Sequence, residues 1–511
     1  MASFFSFLIQ KRIPSYRTLC ELLRGPLTFH RTLAYICLLA IAVVTFITLI
    51  TFNNSFLTTV PARGGTLVEG VIGAPKAINP VLASTDTDRA FTSLVYAGLM
   101  KFSSDGTVTP ELAQDYTVSP DGRIYTFTLN EATFHDGKPL TSRDVAFTVE
   151  ALQKANLNPS QAAYWQDIGT ETPDERTIIF ALPAPRADFL ERATVGILPE
   201  HIWKDIPDET FSTAKQNIHA VGAGAFEIAS VKKENGVVTR IALRRNNSYI
   251  QGAPLLKKLI LRITSNQSEL GNMVRTAGID ITSQLLPSTI ATLALPSKTT
   301  VIQTPTETTA VLYHARGESG ALANTALTSV LSDFIDKEKI IAIVENGYGE
   351  VLNASTTPLD TVEEAQQKLA TLGYRLNNGT LYRGTTPVGI SIATTNDPQL
   401  VTLATTLATE LRSLGITVSL RSFDQGFFQT ELERTTFNAV LVKGIEPPAR
   451  YESVLPLYKT TVPFVVKTNA HGIIPSVLIS PVLRYANVNE WYTNTDKLYS
   501  WFVHQKSTTN N

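Results

Sequence analysis

Three kinds of hydrophobic pattern divide the chain. An apolar run from Leu33 to Phe52 carries no charge and approaches the ~20 residues that a membrane-spanning helix needs. Farther on the period drops to two. Tyr125, Phe127 and Leu129 alternate with threonines, which predicts a half-buried strand. Ser119-Pro120-Asp121-Gly122 before it is turn chemistry, with Pro setting φ and Gly permitting φ > 0. Asp136-Gly137 makes the next turn. Thr141-x-x-Asp144 is then a capping box opening a helix with Val145, Val149 and Leu152 on one face.

The third pattern joins both periods. Val388, Ile390 and Ile392 alternate, and Asp397-Pro398 opens a helix with Leu400, Ala404, Leu407 and Leu411 on one face. Gly415 ends it, and Ile416, Val418 and Leu420 form the next strand. This is a βαβ unit, expected to be right-handed, and its leucine stripe reads as core. Val311-Leu312-Tyr313 predicts another strand, and a final helix is expected near 493–502.

Charge and cysteine content narrow the address. A net charge of −1 over 511 residues argues against a nucleic-acid binder, which carries clustered basic charge. Both cysteines, Cys20 and Cys37, lie near the N-terminus, so the remainder has neither disulfides nor thiolate metal sites. Lys11, Arg12, Arg17, Arg24 and Arg31 face one acid, Glu21, before the apolar run. The basic flank therefore stays cytoplasmic and places 53–511 outside a cell membrane crossed once. A cleaved secretory leader is the alternative, since Val60-Pro61-Ala62 suits a signal peptidase, but the run exceeds the usual 7–15-residue apolar core of such leaders. Cys37 has no small-residue lipobox before it, so a lipid anchor is not expected.

Catalytic signatures are missing from the sequence. It contains no Gly-x-Ser-x-Gly elbow, His-Glu-x-x-His, Walker loop or Cys-x-x-Cys. The seven histidines are scattered singly, and His135 reads as part of a structural turn. Gly222-x-Gly224 lacks the third glycine and the Lys-Ser/Thr of a phosphate loop. No enzyme activity, metal or cofactor is expected.

The order of these devices is informative beyond their individual meaning. Pro110-Glu111-Leu112-Ala113-x-Asp115-Tyr116, the Ser-Pro-Asp-Gly turn, Phe134-His135-Asp136-Gly137 and the capped helix to Leu152 together resemble the family 5 extracellular solute-binding proteins. These are receptors for oligopeptides, dipeptides and nickel complexes in ABC importers. Ile78-Asn79-Pro80, Leu94-Val95-Tyr96-Ala97-Gly98-Leu99, Ala220-Val221-Gly222-Ala223-Gly224-Ala225-Phe226 and Arg245-Asn246-Asn247-Ser248-Tyr249 extend the resemblance. It is strongest over 64–152, moderate to about 285 and patchy beyond.

The resemblance implies an α/β, bilobal periplasmic-binding-protein-like fold (type II, cluster C-like) with an inserted subdomain, preceded by one transmembrane helix. The expected divisions are a basic cytoplasmic segment (1–31), a signal-anchor helix (32–52) and a tether (53–63). A first lobe follows (64–300 and 456–511, with an insertion at about 100–195), then a second lobe (301–455). The implied partners are a peptide or other small solute and ABC permease subunits, with a monomeric ectodomain. Implied cleft residues are Ile72, Gly73 and Ala74 after the first strand, Tyr96 at a helix end, and Tyr313 and Arg316 from the second lobe. Tyr164-Trp165 is an aromatic pair in the insertion without a motif to fix its role.

One departure weakens the peptide assignment. Where family peptide receptors have Gly-Trp and then an Asp that anchors the peptide amine, this chain reads Lys443-Gly444-Ile445-Glu446-Pro447-Pro448. Glu446 is a candidate replacement carboxylate, as is Glu452. Two functions remain open from sequence: a membrane-tethered receptor feeding an ABC importer, or a receptor-derived sensory or binding module uncoupled from import.

Overall fold

The computed structural model describes residues 29–499 except 155, 316–320, 354–357, 435–436, 445–446, 448 and 475–482. The chain divides into two compact units, Met1–Ala62 with Thr495–Asn511, and Arg63–Asn494.

The small unit contains the helix Phe29–Ser55 and a two-stranded sheet pairing Leu57–Ala62 with Asn494–Tyr499. The expected tether is thus partly helix and partly strand. The expected final helix is also corrected: 494–499 is a strand, and 500–502 lie outside the described residues. With Leu498 and Tyr499 its only apolar residues, the segment lacks a helical apolar face. Strand pairing satisfies its backbone instead. Among the described residues no helix is long and apolar enough to cross a membrane.

In the large unit an eleven-stranded mixed sheet runs through two principal cores. One core gathers residues from Leu67 to Ile281 together with Phe464 to Trp491. The other gathers Ala310 to Tyr458. Two strands of 17 residues, Thr299–Ala315 and Tyr451–Lys467, pair antiparallel and extend from one core to the other. Their register breaks between Pro305↔Thr461 and Thr309↔Lys459, at the boundary between the two cores.

Local patterns act as the sequence predicts. Tyr125, Phe127 and Leu129 are buried in strand Ile124–Leu129. That strand lies in a separate four-stranded sheet with Ala113–Val118, Thr177–Ala181 and Gly169–Asp174. Asp144 caps Ser142–Leu152 and bonds the Thr141 amide at 2.8 Å. Strands Gly389–Thr395 and Thr417–Phe423 pair in parallel around helix Pro398–Ser413. Leu400, Ala404, Leu407 and Leu411 are all buried.

Candidate functional site

Strand directions locate a crevice. In the first half, Gly64–Ile72 is parallel to Leu256–Thr264 and Ile281–Thr282. The last of these is antiparallel to Tyr451–Lys467. In the second half, Ala439–Lys443 is antiparallel to Thr299–Ala315, so it runs the same way as Tyr451–Lys467. Gly389–Thr395 and Thr417–Phe423 share that direction. The two groups therefore run head to head. Carboxyl ends at Ile72, Thr264 and Thr282 meet those at Thr395, Phe423 and Lys443 across the register break. Open α/β sheets place ligands outside such strand ends.

Each rim is held by polar contacts. Ile72 N donates to Gln284 Oε1 at 2.6 Å, and Gly73 N donates to Thr264 O at 2.9 Å. Gly73 has φ +91°, which favours glycine at this exit from the strand. On the opposite rim, Lys443 Nζ donates to Glu345 Oε1 at 2.7 Å and Gln399 Oε1 at 3.0 Å. Tyr458 OH donates to the same Glu345 oxygen at 2.8 Å. Burial, reinforced by that carboxylate, pushes the phenol far above its ordinary value. The Thr306 and Thr460 hydroxyls meet at 2.5 Å in the register break. Phe427 is 69% exposed on helix Gln425–Arg434, just beyond strand end Phe423.

A cavity of about 430 Å³ lies in the first half. It is lined in part by Pro80 and Ala83, from the connection that leaves the Ile72 strand end. Its wall is helix Asp86–Val95, fixed by a Thr85–Asp88 capping box. Asp88 Oδ1 also accepts from Lys76 N at 2.7 Å, so one carboxylate orders both the connection and the helix start. Tyr96 follows the helix, its N–H donating to Thr92 O at 2.9 Å. Glycines allow close packing here. A Cβ added at Gly196 would lie 2.5 Å from Tyr96 Cβ, and one at Gly222 would lie 2.2 Å from Val95 O. Gly222-x-Gly224 thus serves helix packing.

The cavity's polar groups are unevenly satisfied. Glu111 accepts from Gly98 N at 2.9 Å and Tyr249 OH at 2.5 Å. Burial raises its carboxyl above the ordinary value, against those two bonds. Arg89 is engaged by Asp86 at 2.8 Å and Arg192 by Asp188 at 3.3 Å. Thr92 Oγ1 and Tyr96 OH are buried without a hydrogen-bond partner. Among the described residues no three His, Cys, Asp or Glu side chains gather as metal ligands.

This head-to-head architecture has relatives. Residues 107–462 match the bacterial extracellular solute-binding proteins, family 5 Middle. The chain belongs to that family. A putative ABC transporter peptide-binding protein of Brucella abortus is 32% identical over 178 residues, covering 34% of this chain and 33% of that protein. The Bacillus subtilis oligopeptide-binding protein AppA is 24% identical over 342 residues, covering 62% of this chain and 61% of AppA. The matched stretches thus span between one third and three fifths of these relatives. Among solved structures, the periplasmic murein tripeptide-binding protein MppA, in its unliganded open form, matches with TM-score 0.65 and 17% identity, covering 86% of this chain and 99% of that one. AppA in complex with a nonapeptide gives TM-score 0.53 and 18% identity, over 85% and 100%. The fold is the α/β bilobal one of these binding proteins.

The structure distributes the family 5 candidates unevenly. Ile72, Gly73 and Ala74 lie at a strand end on the crevice, and Tyr96 lines the cavity. Tyr313 lies short of the strand ends, opposite Val440, packed on a small core with Phe423 and Phe437. Trp165 is a core side chain, 1% exposed. Its neighbour Tyr164 lies beneath Arg186 and Arg192, with guanidinium carbons 4.7 and 4.6 Å from the ring centroid. Trp165 thus packs within the first core, and Tyr164 stacks beneath two arginines. Arg316 and Glu446 lie outside the described residues. Sequence reasoning missed Thr92, Lys101 and Glu111 as cavity residues and the Glu345–Lys443 pair. Glu111 had a signal in the Pro-Glu-Leu-Ala motif; the others had none.

Proposed function

We propose that this chain is an extracytoplasmic solute-binding protein that captures a peptide or another small solute in the crevice and delivers it to the permease of an ABC importer. The observation that carries the proposal is the meeting of two sets of strand ends across a pair of 17-residue strands. Two crossings with a local register break make a hinge, and a solute touching both rims stabilises the closed form. The names of the Brucella and Bacillus relatives agree in chemistry. Ile72, Gly73, Ala74 and Tyr96 are the first-half contact residues in this account.

The same account tethers the large unit to a membrane through the helix Phe29–Ser55. Its 27 residues extend about 40 Å at ~1.5 Å per residue, against a ~30 Å hydrocarbon core. Ile36, Leu39, Ile41, Val44 and Phe46 are each exposed by more than 60%, and apolar side chains on every face mark a helix that needs an apolar surrounding.

Thermal-shift screening of the full chain against short peptides and other small polar solutes tests receptor function. A raised melting temperature for at least one solute class is expected; no response to any class contradicts it. Alkaline carbonate extraction tests the tether, with the full chain expected in the membrane pellet and release into the supernatant contradicting it.

A further inference from the structure

One face of the first half's sheet carries an excess of positive charge. Strands Phe226–Glu234, Val237–Arg245 and Leu256–Thr264 pair antiparallel at one edge of the eleven-stranded sheet. Ile241, Leu243, Leu259 and Leu261 turn one face of these strands to the core. Side chains alternate across a strand, so Arg240, Arg244, Lys258 and Arg262 share the other face. The register sets them against one another. Arg240 stands opposite Lys232 on one neighbouring strand and Arg262 on the other, and Arg244 stands opposite Lys258.

Like charges directly opposite on neighbouring strands lie about 5 Å apart at Cβ and destabilise a sheet. The fold offsets only part of this. Lys232 pairs with Glu234 and Arg244 with Glu227, while Arg262 donates to Gly278 O at 3.2 Å. Arg240 and Lys258 are exposed and enter no ion pair or hydrogen bond among the described residues. Five cations of these strands thus meet two acids, in a chain whose net charge is −1. A face that meets only water ordinarily intersperses both signs. A row of three cations in register calls for an anionic surface.

We propose that this face rests on the anionic phospholipid headgroups of the membrane to which the chain is tethered. The inference goes beyond solute capture and rests on the tether proposed above. Charge and chain length identify the occupant. Arginine forks bind phosphate oxygens bidentately and lysine adds a point charge, and basic residues near an anionic bilayer are each attracted to it. Leu256–Thr264 runs parallel to Gly64–Ile72, with Lys258 opposite Thr66. Residues 56–63 alone join that first strand to the helix ending at Ser55, a link of at most about 30 Å at ~3.6 Å per residue. So short a link presents the bilayer at high effective concentration, and attractions too weak to recruit lipid from solution then suffice. A soluble acidic protein gains nothing from the tether.

The test uses the full chain carrying Cys20→Ser, Cys37→Ser and Ser230→Cys, with a fluorophore on the new thiol. Ser230 is exposed and stands opposite Ala242, on the basic face. The protein is placed in nanodiscs of phosphatidylcholine, or of phosphatidylcholine with phosphatidylglycerol, each doped with a headgroup nitroxide quencher. Quenching is expected to be at least about two-fold greater in the anionic discs, and to fall to the zwitterionic level in 1 M salt, where the Debye length is about 3 Å. Arg240→Glu with Lys258→Glu should abolish the difference without lowering the melting temperature, whereas Arg240→Lys should keep most of it. Equal quenching in the two discs, or undiminished quenching in the double charge reversal, overturns the membrane face. Co-elution of the chain with phosphatidylcholine discs reports the tether separately; a chain that co-elutes with neither disc overturns both.

Discussion

Glu69 and Glu345 are each buried carboxylates that accept from one cation and one tyrosine, in different halves of the large unit. Glu69 sits mid-strand in Gly64–Ile72. It accepts from Arg484 Nη2 on one oxygen and Tyr485 OH on the other at 2.7 Å, with all three residues buried. Glu345 accepts from both Lys443 Nζ and Tyr458 OH on a single oxygen. It stands beside the strand ends, where the Lys443 side chain is 19% exposed. The first cluster ties the chain's late segment around 484 back onto the first strand of its core. The second lies at the crevice, where water reaches the cation. The same chemistry serves as a sealed clamp in one place and a hydrated rim contact in the other.

The largest effect expected from this contrast is at the clamp. Glu69→Ala leaves Arg484 charged and buried, and removing one partner of such a pair costs about 3–5 kcal/mol. Urea denaturation of the large unit's transition measures it. Replacing both partners with apolar residues, Glu69→Leu with Arg484→Met, should recover most of the loss. A single-variant cost below about 1 kcal/mol would mean that Arg484 finds water after all.

A second effect comes from His135, which bridges the glycine segment behind Tyr96. Its Nε2 meets Gly224 O at 3.1 Å, and its Nδ1 accepts from Gly222 N at 3.3 Å. Burial chiefly holds the imidazole below its ordinary value, against the opposing pull of Gly224 O and nearby carboxylates. The unfolded chain takes up this proton near pH 6.5 and the folded chain resists it. Stability should therefore fall as pH drops below about 6.5. His135→Ala should cost about 1–3 kcal/mol at neutral pH and flatten that part of the pH profile. An unchanged acid-side slope in the variant would assign it to other groups.

The smallest effect is expected at the rim. Glu345→Gln keeps an acceptor for Tyr458 and leaves Lys443 partly hydrated, so the cost should be about 1 kcal/mol. A loss matching that of Glu69→Ala would erase the distinction between clamp and rim.

The sequence exposed what local chemistry dictates. The Ser119–Gly122 turn, the Thr141–Asp144 capping box and the alternation at Tyr125, Phe127 and Leu129 depend on neighbours within a few residues. The βαβ unit around Asp397 likewise needs only its own periodicity. The crevice could not be read this way. Glu345 and Lys443 are 98 residues apart, and the cavity brings Thr92, Lys101, Glu191 and Asn489 together. Tyr164-Trp165 had no motif to fix its role. A tryptophan buries its large area as readily in a core as in a cleft. The 494–499 segment failed differently: its fate depends on Leu57–Ala62 being available to pair, which no local pattern announces.

Closure of the two halves on a solute is the central claim, and a distance measurement tests it most directly. Spin labels at Thr117→Cys and Glu338→Cys, in a full chain carrying Cys20→Ser and Cys37→Ser, report the separation of the halves by double electron–electron resonance. With a saturating solute identified by titration, the distance distribution should move to a shorter, narrower peak. An unchanged distribution with bound solute would contradict closure about the 305–309 and 459–461 hinge.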